Sequence, residues 1–152
     1  MLSNANATRT ASVQVKFSKD YTSASSMEPF QQKGSLSKTF GWFKISRNAL
    51  QDSPAQWWIF VLLGFSLSPD FVVIRPRDLL QRLDTLFGRR DTFQSYVWVT
   101  KPGGSQKSER CWEVRDLNQD DRSKIVAGIY ENASRDLSGY LVWDPILQEL
   151  NS

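Results

Sequence analysis

An alternation of apolar and polar side chains runs from residue 11 to residue 18, with Val13, Val15 and Phe17 as its largest apolar members. Successive side chains of a β-strand point to opposite faces, so this pattern predicts a strand with one apolar and one polar face. Residues 57–63 are apolar throughout, which is typical of a strand that is buried on both faces. The pattern therefore predicts a half-buried strand followed later by a fully buried one.

The apolar spacing changes between residues 77 and 87, where five large apolar side chains fall on one side of a helix that Gly88 ends. The other predicted elements are strands at 40–45, 71–74, 93–100 and 111–114, a helix at 122–132 and a terminal helical turn at 146–150. Residues 140–143 fit either a strand or a docking segment. We expect residues 1–10 to be disordered or incomplete and residues 20–39 to form a long loop.

Length and composition limit both the fold and the chemistry. The 152 residues and the mixture of elements predict one domain over 1–152, of the α/β (α+β) class, with a central mixed β-sheet of about five strands flanked by helices. The chain has no histidine and one cysteine, Cys111, which excludes imidazole-based catalysis, histidine-ligated metals and an internal disulfide. The chemistry that remains uses carboxylates, lysines, hydroxyls or a metal held by oxygen ligands.

The N-terminal residues lack the basic start and apolar core of a signal peptide. The longest apolar run has seven residues, well short of the roughly 20 that a membrane helix needs. A single cysteine agrees with a reducing compartment. The sequence therefore predicts a cytoplasmic protein that does not associate with a membrane.

The formal net charge of +3 is unevenly distributed along the chain. Residues 1–50 carry seven basic and two acidic side chains, whereas the remaining residues carry 12 basic and 14 acidic ones. A basic segment attracts polyanions such as nucleic acid, although an ordinary solvated face can have the same composition. If the chain binds nucleic acid, we expect the phosphates to contact Lys19, Lys33, Lys38 and Arg47.

Gln14, Val15 and Lys16 form the segment with the most specific chemistry. On a strand, Gln14 and Lys16 point to the same side and can share one metal–phosphate centre, while Val15 packs into the core and its carbonyl can face the metal. This triplet, within residues 11–21, resembles the QxK variant of the PD-(D/E)XK nuclease superfamily, whose fold is restriction-endonuclease-like. In that family an upstream aspartate and the first residue of the triplet bind a divalent metal, and the lysine positions or activates the attacking water.

The resemblance covers most of the chain, because residues 55–83, 111–117 and 139–147 are similar to the core and C-terminal parts of related uncharacterised prokaryotic domains. It implies a nucleic-acid-binding protein of nuclease-like fold, either a Mg²⁺-dependent endonuclease or an inactive relative of one. In the active case, Lys16 and Gln14 are the catalytic residues. Gln14 and the carbonyl of Val15 are then the Mg²⁺ ligands.

The acidic residue that this family has upstream of the triplet is missing, since no Asp or Glu precedes Asp20. Asn4 and Asn6 occupy the expected region, and neutral amides bind Mg²⁺ more weakly than carboxylates do. Asp20 or Glu28 can substitute if the following loop folds back. Three alternatives stay open: an N-terminally truncated nuclease, a shortened relative that only binds, and an accidental similarity.

A different class of function is a non-catalytic protein–protein interaction module, a small prokaryotic accessory or mobile-element protein that assembles through exposed tryptophans. Six tryptophans are many for this length, and we expect about four of them in the core. A homodimer is compatible with either class. Nucleic-acid binding weakens steeply with salt, whereas a tryptophan-mediated interface does not.

Overall fold

The computed structural model describes residues 1–18, 34–64 and 68–152 of the chain. Its strands are β1 (Leu2–Ser3), β2 (Thr10–Ala11), β3 (Val13–Phe17), β4 (Ser37–Ser46), β5 (Trp57–Leu62), β6 (Asp70–Ile74), β7 (Thr92–Thr100) and β8 (Arg110–Glu113). Its helices are α1 (Arg47–Gln51), α2 (Pro76–Phe87), α3 (Gln119–Ala127) and α4 (Asp144–Asn151), with a 3₁₀ turn at Ser138–Tyr140. Among these described residues, no helix is long and apolar enough to span a membrane.

The strands of the described chain form three sheets, whereas the sequence predicts a single mixed sheet of about five strands. β1 and β2 form an antiparallel hairpin. In sheet I, β5 lies in the middle, parallel to β3 and antiparallel to β6. In sheet II, β7 lies between β4 and β8, and both pairings are antiparallel. The architecture is therefore a layered mixture of α and β elements, and among the described strand pairs only β3–β5 is parallel.

β5 is buried along its whole length, as its continuous apolar sequence predicts. Trp58, Phe60 and Leu62 belong to the core between the two sheets. Trp57 and Ile59 point to the opposite face, where they belong to a second cluster that includes residues of α4. The strand needs apolar side chains at every position because both of its faces are covered.

Sheets I and II face each other across the main core. Phe43 of β4 and Phe60 of β5 contact edge to face, with ring centroids 4.8 Å apart. The sheets also meet just beyond the end of β5, where the backbone N–H groups of Phe40 and Leu63 donate to each other's carbonyls at 2.9 and 3.2 Å. Leu83 of α2 packs into the same core, so α2 closes one side of it.

The outer face of each sheet is covered by one helix. α3 places Ile125 in a cluster with Trp98 and Trp112 of sheet II. α4 places Ile146 and Leu150 against sheet I. These two helices lie on opposite sides of the protein because the two sheets turn their inner faces toward each other.

The helix boundaries follow glycine and capping residues. α2 matches the helix predicted at 77–87, and it ends at Gly88, whose φ is +75°. α3 begins earlier than predicted, because the Asn118 side chain accepts a hydrogen bond from the backbone of Asp121, and it ends at Gly128 in the left-handed conformation. The terminal helical turn predicted at 146–150 lies within α4.

The described structure differs from the local predictions in three places. Residues 1–10, which the sequence predicts to be disordered or incomplete, form most of a hairpin in which Asn4 Oδ1 accepts from the backbone N–H groups of Thr8 and Arg9 at 2.9 and 3.2 Å. Within the predicted 20–39 loop, residues 37–39 belong to β4, and residues 20–33 lie outside the described residues. Of the two alternatives for residues 140–143, the strand does not form: Tyr140 ends the 3₁₀ turn, and Trp143 packs against Phe71.

Candidate functional site

The predicted metal centre lies on β3 at the edge of sheet I. Gln14 and Lys16 share one face of the strand, as their spacing requires. Gln14 is exposed, and Lys16 is half-buried with its Nζ 4.9 Å from the ring centroid of Trp58. The ammonium group therefore contacts an aromatic face, which is a stabilising cation–π arrangement.

The residues described around this triplet do not form a metal cage. Within residues 1–18, 34–64 and 68–152, no group of three or more His, Cys, Asp and Glu side chains could hold a metal ion. A Mg²⁺ ion bound by protein needs at least one or two carboxylates in addition to water. Asp20 and Glu28, the predicted substitutes for the missing acid, lie outside the described residues.

Two of the four lysines and arginines predicted to contact phosphate are held by acidic partners. Lys38 Nζ lies 3.0 Å from Asp70 Oδ1 and 2.6 Å from Glu109 Oε1. Partial burial lowers the pKa of Lys38, but its hydrogen bonds to Glu109 and Asp70 outweigh this effect and raise the pKa. Thr39 donates to the other Asp70 oxygen at 2.7 Å, so the ammonium group joins the edges of the two sheets.

Arg47 is buried, with 4% of its surface exposed. Its guanidinium group pairs with Asp84 of α2, and its Nε donates to the carbonyl of Arg90 at 2.8 Å. These contacts tie α1 to α2 and the residues after it, which argues against a phosphate-binding role for Arg47. Lys19 and Lys33, the other two predicted contacts, lie outside the described residues.

The tryptophans divide as the sequence predicts, with four in the core. Trp57, Trp58, Trp98 and Trp112 are buried. Trp42 and Trp143 are half-buried, and each contacts a second aromatic ring: Trp42 meets Tyr96, and Trp143 meets Phe71. Trp42 and Trp143 are therefore the two tryptophans that are accessible for the predicted assembly through exposed tryptophans.

A different apolar region is more exposed than the tryptophans. The sequence predicts that Val15 packs into the core, but 42% of its surface is exposed, and Phe17 on the same face of β3 is 68% exposed. Leu147 of α4 is 48% exposed. We call the region formed by Val15, Phe17, Phe71, Trp143 and Leu147 the β3–α4 surface.

The path of α4 leaves one corner of sheet I uncovered. Trp143, just before α4, contacts Phe71 at the start of β6, with ring centroids 5.5 Å apart. At the other end of the helix, Leu150 belongs to the same cluster as Ala11 of β2. Eight helical residues span only about 12 Å. The helix therefore crosses the face diagonally and leaves the C-terminal end of β3 open.

The helical repeat directs Leu147 toward this open corner. Ile146 and Leu150 face the sheet, which puts residues 147 and 149 on opposite flanks of α4 at 100° per residue. Glu149 contacts Gln56 and Arg75, at 3.2 and 2.7 Å, on the β5–β6 side. Leu147 consequently faces the β3 side, where Val15 and Phe17 are exposed.

β3 is an edge strand of the described sheet. Its only described strand partner is β5. Beyond Phe17, the backbone N–H of Trp42 in β4 donates to Ser18 Oγ at 2.9 Å, so β4 approaches the chain just after β3 ends. In a parallel pair only part of the backbone groups point to the partner, so the outer edge of β3 presents N–H and C=O groups that can pair with another strand.

Sequence reasoning missed this surface because alternation identifies an apolar face without showing what covers it. One signal was available. The predicted terminal helix is short and offers few core-facing side chains, too few to cover a face of three strands. A comparison of helix length with sheet width would have indicated an uncovered part of the face.

Glu113 is the described acidic group with the largest electrostatic perturbation. It is 2% exposed on β8, and it accepts hydrogen bonds from the Ser95 hydroxyl and from the backbone N–H of Arg115. Burial raises the pKa of Glu113 to about 7, although these hydrogen bonds and nearby Arg135 lower it in part. A carboxylate enclosed in this way cannot reach a substrate, so we expect its ionisation to affect the stability of the fold.

An open cleft of about 360 Å³ lies between α2 and the segment around Tyr140. Arg82 lines it, but its Nε and Nη1 lie 3.2 Å from Tyr140 Oη and 2.9 Å from the carbonyl of Asp136. Asp78 is the acidic side chain of the lining. The guanidinium group is therefore engaged by the protein's own acceptors, and one carboxylate does not make the pair that histidine-free acid–base catalysis uses.

No protein-family model, curated protein or solved structure matches this chain.

Proposed function

We propose that the chain is a protein–protein interaction module whose binding site is the β3–α4 surface. The observation that carries this proposal is the exposure of Phe17 and Val15, at 68% and 42%, on an edge strand. Complete burial of a side chain of this size contributes about 1.5–3 kcal/mol. Covering the exposed two-thirds of Phe17 would therefore add about 1.5 kcal/mol of binding free energy.

The occupant that fits is an extended segment of a protein partner. Backbone groups on the outer edge of β3 can form a ladder with an added strand, which is a common mode of peptide recognition. Alternate side chains of that strand would lie over Val15 and Phe17 and reach Leu147. The ladder would supply affinity, and the apolar contacts would supply the preference for partners with apolar residues at every second position.

Nucleic-acid binding by a restriction-endonuclease-like protein is the second candidate. It is supported by the shared orientation of Gln14 and Lys16 on β3. Cleavage with Mg²⁺ would need Gln14, the Val15 carbonyl and at least one carboxylate around the metal. This candidate ranks second because Lys38 and Arg47 are engaged by acidic side chains.

The test uses a labelled octapeptide of alternating valine and threonine with a lysine at each end. Fluorescence anisotropy should show binding to the wild-type chain, no binding of the same peptide with a central proline, and at least tenfold weaker binding to the Phe17→Asp variant. The matched control is Ile129→Asp, because Ile129 is 54% exposed beyond the end of α3, on the other side of the protein.

Two results would contradict the proposal. One is no peptide binding by the wild-type chain up to millimolar concentration, and the other is an equal loss in the Phe17 and Ile129 variants. A labelled DNA strand tested in parallel at low salt separates the second candidate. Salt-sensitive DNA binding that Lys16→Ala weakens and Phe17→Asp leaves unchanged would favour nucleic acid.

A further inference from the structure

We propose that the partner at the β3–α4 surface is a second copy of this chain, which pairs β3 with β3 in an antiparallel arrangement about a twofold axis at Val15. This inference rests on the proposed function. A twofold interface brings the same surface of both molecules together, so the surface must be complementary to itself. β3 meets this requirement because its apolar residues are arranged symmetrically about Val15 and because this symmetry keeps the Lys16 side chains of the two copies from lying opposite each other.

The register centred on Val15 pairs like with like. Opposite residues of an antiparallel pair lie on the same face of the sheet. Val15 would then meet the partner's Val15, and Val13 would meet the partner's Phe17, all on the face that α4 partly covers. On the other face, Gln14 would meet the partner's Lys16, so an ammonium donor lies opposite an amide oxygen.

Other registers are worse for identifiable reasons. A shift of one residue places the apolar face of one copy beside the polar face of the other. Centring the pair on Lys16 puts two ammonium groups directly opposite each other, which is destabilising. Centring it on Gln14 moves Phe17 opposite Ala11, which is already fully buried.

The outer edge of β3 can accommodate this register. The pairing uses only Val13–Phe17 from each copy, so it ends before Ser18, where β4 approaches. Sheet I of one copy and sheet I of the other would join into one sheet of six described strands. Adjacent strands lie about 4.8 Å apart, so the two β5 strands would be about 14 Å apart, with the two α4 helices flanking the junction.

The groove between those helices would be filled by the exposed side chains of both copies. Phe17, Val15 and Leu147 from each molecule would meet there, because Leu147 lies on the flank of α4 that faces β3. The pairing would thus remove from water the side chains that leave the β3–α4 surface exposed in the single chain. An interface built on two five-residue strands is small, so we expect a dimer that dissociates on dilution.

The deciding experiment measures the mass of the full chain by sedimentation velocity from micromolar to millimolar concentration. We expect a concentration-dependent dimer for the wild type and a monomer for Val15→Lys, which puts two positive charges at the axis. Val15→Glu should also be monomeric. An equimolar mixture of the lysine and glutamate variants should restore the dimer, because opposite charges then meet. Ile129→Lys, the control, should behave as the wild type.

A thiol cross-link checks the geometry independently. A short bismaleimide should join Val15→Cys into a covalent dimer and leave Ile129→Cys monomeric. Cys111 does not compete, because it is fully buried and burial raises the pKa of its thiol well above the ordinary value. Circular dichroism of each variant establishes that it is folded.

The outcomes separate this inference from the function on which it rests. A wild-type chain that stays monomeric at every concentration overturns the dimer. If that monomer still binds the alternating peptide and Phe17→Asp weakens the binding, the interaction module stands and its partner is another protein. A dimer whose mass Val15→Lys leaves unchanged uses another surface and also overturns the inference.

Discussion

Replacing Glu113 by glutamine should remove a pH dependence of stability that the fold imposes. Glu113 lies on β8 with 2% of its surface exposed, and Ser95 and the backbone N–H of Arg115 donate to its carboxylate. Arg135 Nη1 lies 3.5 Å from one carboxylate oxygen, but it also donates to the carbonyls of Arg115 and Glu113. Its charge is therefore only partly directed at the carboxylate, and burial dominates the pKa.

The magnitude follows from the change in pKa on folding. A pKa raised from 4.5 to about 7 corresponds to about 3 kcal/mol of differential stability between the two protonation states. The folded state holds the proton more tightly than the unfolded state. The contribution of Glu113 to stability is fully present below pH 4.5 and is lost as the pH rises through about 7. Stability should therefore fall between these values by up to about 3 kcal/mol.

Urea unfolding followed by tryptophan fluorescence, near pH 5 and near pH 8, measures this effect. The chain has no histidine, so imidazole titration does not contribute in this range. We expect Glu113→Gln to match the wild type within about 1 kcal/mol near pH 5 and to be about 2–3 kcal/mol more stable near pH 8. If the difference between the two proteins is the same at both pH values, the ionisation of Glu113 is not linked to folding.

Three further substitutions test the packing of the fold. Asp84→Ala leaves the buried Arg47 without its carboxylate and should reduce the free energy of unfolding by about 2 kcal/mol. The loss should be smaller than for a fully buried pair because Asp84 is partly exposed. An unchanged urea midpoint would contradict this expectation. Gly128→Ala should cost more than 1 kcal/mol, because φ is +74° and the added Cβ would lie 2.6 Å from a carbonyl oxygen, whereas Gly139→Ala meets open space and should be neutral in thermal unfolding. Leu83→Ala should cost about 2–5 kcal/mol in calorimetry with the fold retained, and a smaller loss would mean that the core collapses around the deleted side chain.

The exposed corner of sheet I connects packing to the proposed function. α4 covers Trp57, Ile59 and Val73 but not the end of β3. A longer helix would have buried Phe17 and Val15, and they would then belong to the hydrophobic core. The same short helix that stabilises β5 therefore leaves the surface that we propose for partner binding.

Local elements of this protein were readable from the sequence because each depends on neighbouring residues. The continuous apolar run of β5 predicted burial on both faces, and the spacing of leucines before Gly88 predicted α2. The balance of buried and half-buried tryptophans was also predicted, because most aromatic side chains occupied strands with apolar neighbours. The start of α3 was not predicted correctly, since several polar residues near Asn118 could equally have capped the helix.

The predicted site residues depended on contacts between distant parts of the chain. In the sequence, Lys38 and Arg47 lie on a basic segment. The fold places Asp70 and Glu109 beside Lys38 and places Asp84 beside Arg47. Sequence separations of 32, 71 and 37 residues join these pairs. Charge along the chain therefore did not indicate which cations remain available to a polyanion.

Local sequence dictates which side chains share a face, because the two-residue repeat of a strand and the 3.6-residue repeat of a helix depend only on neighbouring residues. It specified that Val13, Val15 and Phe17 lie together on β3 and that Gln14 and Lys16 lie opposite them. Which of these faces meets water depends on long-range packing, because it is set by where an eight-residue helix crosses the three described strands of sheet I. Burial is a property of the assembled layers, and it left Val15, which the pattern predicted to be in the core, exposed beside Phe17.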